Sequence, residues 1–242
     1  MPDNKQDIIQ QLRRDILPLQ GYKPPSAGYE VDLGLGPIEQ AFPNGAFPTG
    51  AIHDFLTLDQ EQLAATTAFL AAILSRMMER GGIAVWIGAD SSTFAPGLAY
   101  YNVDPDRIIF VAPTTSKTIL WTLEESLRCD RFIAVLVEIT DLSFVESRRL
   151  QLVVEQSRVT GFIIRHQPRR KNIVASVAQW RITALPTQSQ GERPGRGFPR
   201  WHVELLKVRN RQPVACDVEW TGTHLYPIPP KQIDSRSEGK TG

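Results

Sequence analysis

Two short runs, Ile83-Ala84-Val85-Trp86-Ile87 and Phe132-Ile133-Ala134-Val135-Leu136-Val137, are apolar at every position. A strand with one wet face would alternate, so runs like these need cover on both faces, the condition of a central strand in a parallel sheet. Between them the period changes from two to that of a helix. Leu63, Phe69, Leu70, Ile73, Leu74, Met77 and Met78 recur at helical spacing over roughly residues 60–80, and Gly81-Gly82 ends the helix. Ser116 can cap a second helix to about Arg128, with Ile119, Leu120, Leu123 and Leu127 inward. Ser143-Phe144-Val145-Glu146 reads as a capping box opening a third, to about Arg158. Further strands are predicted at 51–56, 107–111 and 161–165. After Ala175 the pattern turns to period two, at 175–184, 202–208 and 214–220, the last two forming a hairpin about Asn210. The order predicts an α/β fold: a largely parallel sheet flanked by helices, with an antiparallel C-terminal extension.

The 242 residues divide into an N-terminal helix and linker (1–29), one folded domain (30–230) and a polar tail (231–242) that reads as disordered. The first segment has an apolar stripe of Ile8, Ile9, Leu12 and Ile16 that could dock a partner. A net charge of +1 gives no global field for nucleic acid or membrane, so any such contact must rest on local patches. No uncharged run approaches the ~18 residues of a membrane span. With no apolar signal segment, and with Cys129 and Cys216 far apart, the expected compartment is the cytoplasm. Neither the cysteines nor the scattered histidines (His53, His166, His202, His224) have metal-ligand spacing, and no metal or cofactor is expected. His53, on a buried strand, reads as a satisfied core histidine, and the Tyr100-Tyr101 pair and Trp121 are expected in the core. Ser91-Ser92-Thr93 lacks the setting of a hydrolase nucleophile.

The turn after the first strand is the most informative place for function. From Ala51 to Arg80 there is neither glycine nor lysine. A phosphate-binding loop at such a turn needs glycines, so that backbone N–H groups can curl around the phosphates, and a lysine for the terminal charge. Thr57, Asp59, Glu61, Gln62 and Leu63 stand there instead, and Asp59 followed by Gln62 reads as a helix cap.

Several stretches carry a resemblance. Asp32-Leu33-Gly34-Leu35-Gly36, Phe47-Pro48-Thr49-Gly50-Ala51-Ile52, Trp86-Ile87-Gly88-Ala89-Asp90 with Asn102-Val103-Asp104 and Arg107-Ile108-Ile109, and Ala175-Ser176-Val177 resemble the RecA core over roughly residues 30–220. With the degenerate loop, and with Trp121 to Cys129, Asp141-Leu142 and Ser147-Arg148-Arg149-Leu150-Gln151-Leu152, the chain most resembles the ImuA family, RecA-like proteins of bacterial damage-induced mutagenesis. The resemblance places Asp90 where the family's fold carries the water-activating acid, and Glu138 where it carries a Mg²⁺-side carboxylate. Losing the lysine and two or three backbone donors, at roughly 1.5–3 kcal/mol each, removes about 5 kcal/mol. That takes a micromolar nucleotide site to millimolar or worse.

The resemblance therefore implies a non-catalytic accessory protein of error-prone translesion synthesis, induced by DNA damage. Its implied partners are an ImuB-like Y-family polymerase homologue and an error-prone DnaE-type polymerase, with RecA and DNA as further candidates and no membrane. Arg165, Arg169, Arg170 and Lys171 fall where RecA has a DNA-binding loop, and Arg193, Arg196 and Arg200 form a second basic stretch. The runner-up is a SulA-like inhibitor of the division protein FtsZ. An ATP-dependent recombinase is the third alternative, opposed by the turn at 57–63.

Overall fold

The computed structural model describes residues 31–42, 45–88, 95–169, 173–187, 197–208 and 212–229. Among these, a short helix α1 (Pro37–Gln40) precedes β1 (Ile52–Thr57) and the long helix α2 (Gln60–Met78). Then come β2 (Ile83–Ile87), α3 (Ala95–Ala99), β3 (Ile108–Val111), α4 (Ser116–Arg128), β4 (Phe132–Ile139), α5 (Phe144–Ser157) and β5 (Thr160–His166). Four strands finish the domain: β6 (Ala178–Leu185), β7 (Arg200–Val208), β8 (Val214–Trp220) and β9 (Leu225–Ile228).

The strands form one sheet in the order β3-β2-β4-β5-β1-β6-β7-β8-β9. From β3 across to β6 all neighbours are parallel, and from β6 to β9 all are antiparallel. This is a RecA-like fold with an antiparallel wing, as the residue pattern predicts. β2 and β4, the two wholly apolar runs, sit side by side within the parallel part and are sandwiched. One face packs α2 and curls the wing around it, with Phe69 of α2 set edge-on to Trp201 of β7 at 5.8 Å. The other face packs α4 and α5 through Leu123, Leu127, Leu150 and Val154.

The wing also explains the glycines before β1. Gly34 has φ +72°, and a Cβ there would lie 2.1 Å from the Leu225 carbonyl oxygen of β9. A side chain at that position would drive the wing's last strand away. Glu39 completes the junction from a buried position, accepting the Leu33 and Leu35 N–H groups at 2.9 and 3.1 Å.

Some expectations needed correction. Thr115, not Ser116, caps α4: it is extended and its hydroxyl accepts the Thr118 N–H at 3.2 Å, whereas Ser116 is already helical. β6 begins at Ala178 and β7 at Arg200. β9 and α1 were not anticipated, since four residues apiece are too short to show a period. Trp121 and Tyr100, expected in the core, are 64% and 54% exposed, while Tyr101 packs against Trp201 and Trp220. Among the described residues, no helix is long and apolar enough to cross a membrane.

Candidate functional site

α2 leaves β1 on one face of the sheet, whereas α4 and α5, following β3 and β4, lie on the other. The ends of the parallel strands between them open a crevice, the place where sheets of this kind expose their working groups. Two features meet there: the β1–α2 turn, and a cleft of about 770 Å³ beyond the ends of β4 and β5.

The turn is minimal. β1 ends at Thr57 and α2 begins at Gln60, so only Leu58 and Asp59 connect them. Asp59 is the N-cap, its carboxylate accepting the Gln62 N–H at 2.8 Å, and the Gln62 side chain accepts the Leu58 N–H at 3.0 Å. The Leu63 N–H already bonds the Asp59 carbonyl at 3.0 Å. A helix N-terminus attracts anions because its first N–H groups are free and its dipole is positive. Here the protein's own carboxylate takes that position, with Glu61 in the same turn. Thr57, Asp59, Gln62 and Leu63 are thus brought together as a closed cap, too short to wrap a phosphate chain.

The turn is also tied to β5. Thr57 Oγ1 donates to the Arg165 carbonyl at 3.4 Å and lies 3.0 Å from His166 Nδ1. The Gln60 amide reaches His166 Nε2 at 3.3 Å, and the Gln167 N–H donates to the Thr57 carbonyl at 2.8 Å. His166 in turn lines the cleft, so one imidazole joins the two features.

Arg165 requires a correction. It is not a surface cation: its side chain is 1% exposed, and its Nε and a terminal nitrogen donate to the two carboxylate oxygens of Asp54 at 2.7 Å each. Gln179 of β6 donates to the same carboxylate at 2.7 Å. The three residues bridge β5, β1 and β6, adjacent strands at the centre of the sheet. A phosphate backbone cannot reach this guanidinium. Sequence reasoning missed the pairing because the partners are 111 residues apart; the one signal was an aspartate inside a strand otherwise expected to be buried.

Arg200 also moves. It lies at the start of β7 rather than in a loop, largely buried, with Nε 3.7 Å from Glu219 of β8. Arg169 does stand exposed at the cleft, its backbone N–H donating to Asp141 Oδ1 at 3.1 Å. Arg170, Lys171, Arg193 and Arg196 fall outside the described residues, as do Asp90 and the stripe of Ile8, Ile9, Leu12 and Ile16.

Glu138 sits on the cleft wall with Asp141 and Glu146. Glu146 is the reciprocal member of the Ser143 capping box: it accepts the Ser143 N–H at 2.8 Å, and the Ser143 hydroxyl accepts the Glu146 N–H at 3.2 Å. Hydrogen bonds from the Ser143 hydroxyl and N–H hold the Glu146 carboxyl below its ordinary range, so it is charged at neutral pH. Glu138, Asp141 and Glu146 share the cleft lining with Arg169 and His166. Among the described residues no cluster of histidine, cysteine, aspartate and glutamate could hold a metal ion.

His53 is the core histidine its strand predicts. Its ring stacks on Phe47 at 4.4 Å, its Nε2 donates to the Pro48 carbonyl at 2.7 Å, and it accepts the Trp180 indole N–H at 3.2 Å. Burial pushes its pKa down from 6.5 to about 4.

Comparison with known proteins adds an independent finding. The chain is 30% identical over 195 residues to the protein named ImuA in two strains of Caulobacter vibrioides. The match spans 76% of this chain and 80% of the relative. A scan of protein-family models returned no match.

Proposed function

The chain belongs to the ImuA family, and on that premise we propose that it is a non-catalytic accessory factor of error-prone translesion synthesis, acting through contacts alone. The observation that carries the reading is the two-residue Leu58–Asp59 turn, whose helix start is capped by its own aspartate. Between β1 and α2 such a turn leaves no loop long enough to enclose a triphosphate. The proposed partners are an ImuB-like Y-family polymerase homologue and an error-prone DnaE-type polymerase, with this protein as scaffold.

The test is co-purification of the tagged full chain with those two polymerases from damage-induced cells, then reconstitution from purified parts. A stable ternary assembly supports the reading. Recovery of FtsZ, with its polymerisation blocked, would replace it with the SulA-like alternative. Calorimetry with Mg²⁺–ATP should show no binding tighter than millimolar, and steady phosphate release from purified protein would overturn the non-catalytic assignment.

A second reading attaches DNA to the exposed Arg169 and its neighbours Arg170 and Lys171. Changing the three basic residues to alanine should weaken binding to single-stranded DNA and reduce the salt slope by up to about 2. Unchanged affinity and slope would remove DNA from the proposal.

A further inference from the structure

Among the described residues eleven large apolar side chains stand largely in water, and four of them, Trp121, Phe144, Val145 and Leu152, lie on α4 and α5. Trp121 is 64% exposed, whereas the other four tryptophans are buried. Apolar side chains gathered on one exposed face mark an interaction surface, and the charges set among them select what covers it.

Both helices follow strands of one parallel set and pack on one face of the sheet, so they run in the same direction. Arg149 Nε of α5 donates to Glu124 of α4 at 2.8 Å, which sets those two residues level. Trp121 comes three positions before Glu124, and Val145 four before Arg149, so these two are level as well. On the outer ridge of α4, Lys117 stands four positions before Trp121 and Glu125 four after it, both exposed. Neither charge sits where its own helix favours it. Lys117 is in the first turn and Glu125 in the last, each at the end of the dipole that disfavours its sign. Lys117 has no partner among the described residues, and Glu125 has Arg128 Nε at 3.8 Å. Glu124 holds Arg128 as well as Arg149. Arg148, about 100° around α5 from Arg149, turns away from α4 to the rim and stays in water.

Nucleic acid or an anionic membrane would call for one sign of charge across this face. Opposite charges at equal distances on either side of one aromatic instead complement an inverted copy of themselves.

We propose that the α4–α5 face is a homodimer interface, covered by a second copy of the chain about a two-fold axis at the level of Trp121 and Val145. That axis lays α4 antiparallel on the partner's α4, and α5 on the partner's α5. Trp121 packs on the partner's Trp121, and Lys117 meets the partner's Glu125 on each side of the axis. Two helices about 20 Å long and about 10 Å apart present a face of about 400 Å² per copy. That is small for a specific interface, so the dimer should dissociate on dilution through the micromolar range. It does not depend on the accessory-factor reading: failure to recover the polymerases leaves the dimer standing, and a monomeric chain leaves that reading standing.

The test is sedimentation equilibrium of the full chain across about 1–100 μM, with acrylamide quenching of Trp121 followed over the same range. The mass should rise from one copy toward two while the quenching falls. Lys117→Glu and Glu125→Lys each set like charges opposite one another and should weaken the dimer by about tenfold or more. The two reversals together restore both pairs with their signs exchanged and should recover most of the affinity. All three variants alter exposed positions and should keep the unfolding midpoint. A chain that stays monomeric throughout overturns the proposal. So does a dimer indifferent to the single reversals, or one that the double reversal fails to recover, since the contact would then lie elsewhere. Protection of Trp121 by single-stranded DNA or by a purified polymerase, without a dimer, would also overturn it and give the face to that ligand.

Discussion

The β1–α2 turn and the α4–α5 cleft lie at the same end of the same sheet, with His166 between them, yet they are finished in opposite ways. The turn is tied from within: Asp59 occupies the helix start, Gln62 reaches back to Leu58, and Thr57 and Gln60 hold His166. At the cleft, helix starts are also capped, by Thr115 and by Ser143 with Glu146, but apolar side chains stand out in water around them. The contrast separates an end of the sheet closed by its own side chains from one that opens on a cleft. The closed end contributes stability, and the open end leaves Trp121 in water.

The comparison can be broken most sharply at its buried foundation. Arg165→Ala leaves the buried Asp54 carboxyl without its main partner inside the sheet, and should cost about 3–5 kcal/mol in urea unfolding. Replacing Asp54, Arg165 and Gln179 together by apolar residues of similar volume should recover most of that loss. A single substitution costing under about 1 kcal/mol would mean that the closed end does not depend on the pair.

The next effect is one of pH. His53 is neutral when folded, because burial lowers its pKa from 6.5 to about 4. Between those values the unfolded chain binds the extra proton, so stability is complete above about pH 6.5 and declines as pH falls toward 4. The loss reaches about 3 kcal/mol below that window. His53→Gln should start less stable and show a flatter decline across it. A slope identical to that of the unaltered chain would place the acid sensitivity elsewhere.

The cap is expected to matter less. Asp59→Ala should cost about 1 kcal/mol and still show no Mg²⁺–ATP heat, because freeing one N–H does not lengthen a two-residue turn. Appearance of micromolar nucleotide binding would show that the carboxylate, rather than the loop length, had closed the site. The smallest effect belongs to the open end. Trp121→Ala should change stability by less than about 0.5 kcal/mol in thermal unfolding, since a ring so exposed contributes little to the core. A large loss would return Trp121 to a structural role.

What could be read directly from the residues was whatever depends on near neighbours. The two wholly apolar runs declared a sandwiched parallel sheet, the helical spacing declared α2 and α4, and Asp59-x-x-Gln62 and Ser143-x-x-Glu146 declared the caps of α2 and α5, because periods and caps are properties of three to eighteen consecutive positions. That residues 51–80 carry neither glycine nor lysine was legible for the same reason. Tertiary structure alone decided that Arg165 turns inward to Asp54 and Gln179, that Gly34 must make room for β9, and that Trp121 faces outward while four other indoles are buried. A cation in a basic segment, or an aromatic on a helix, has the same local pattern whether it faces protein or water. Only the packing of elements far apart along the chain, which sets dielectric, partners and exposure together, separates the two.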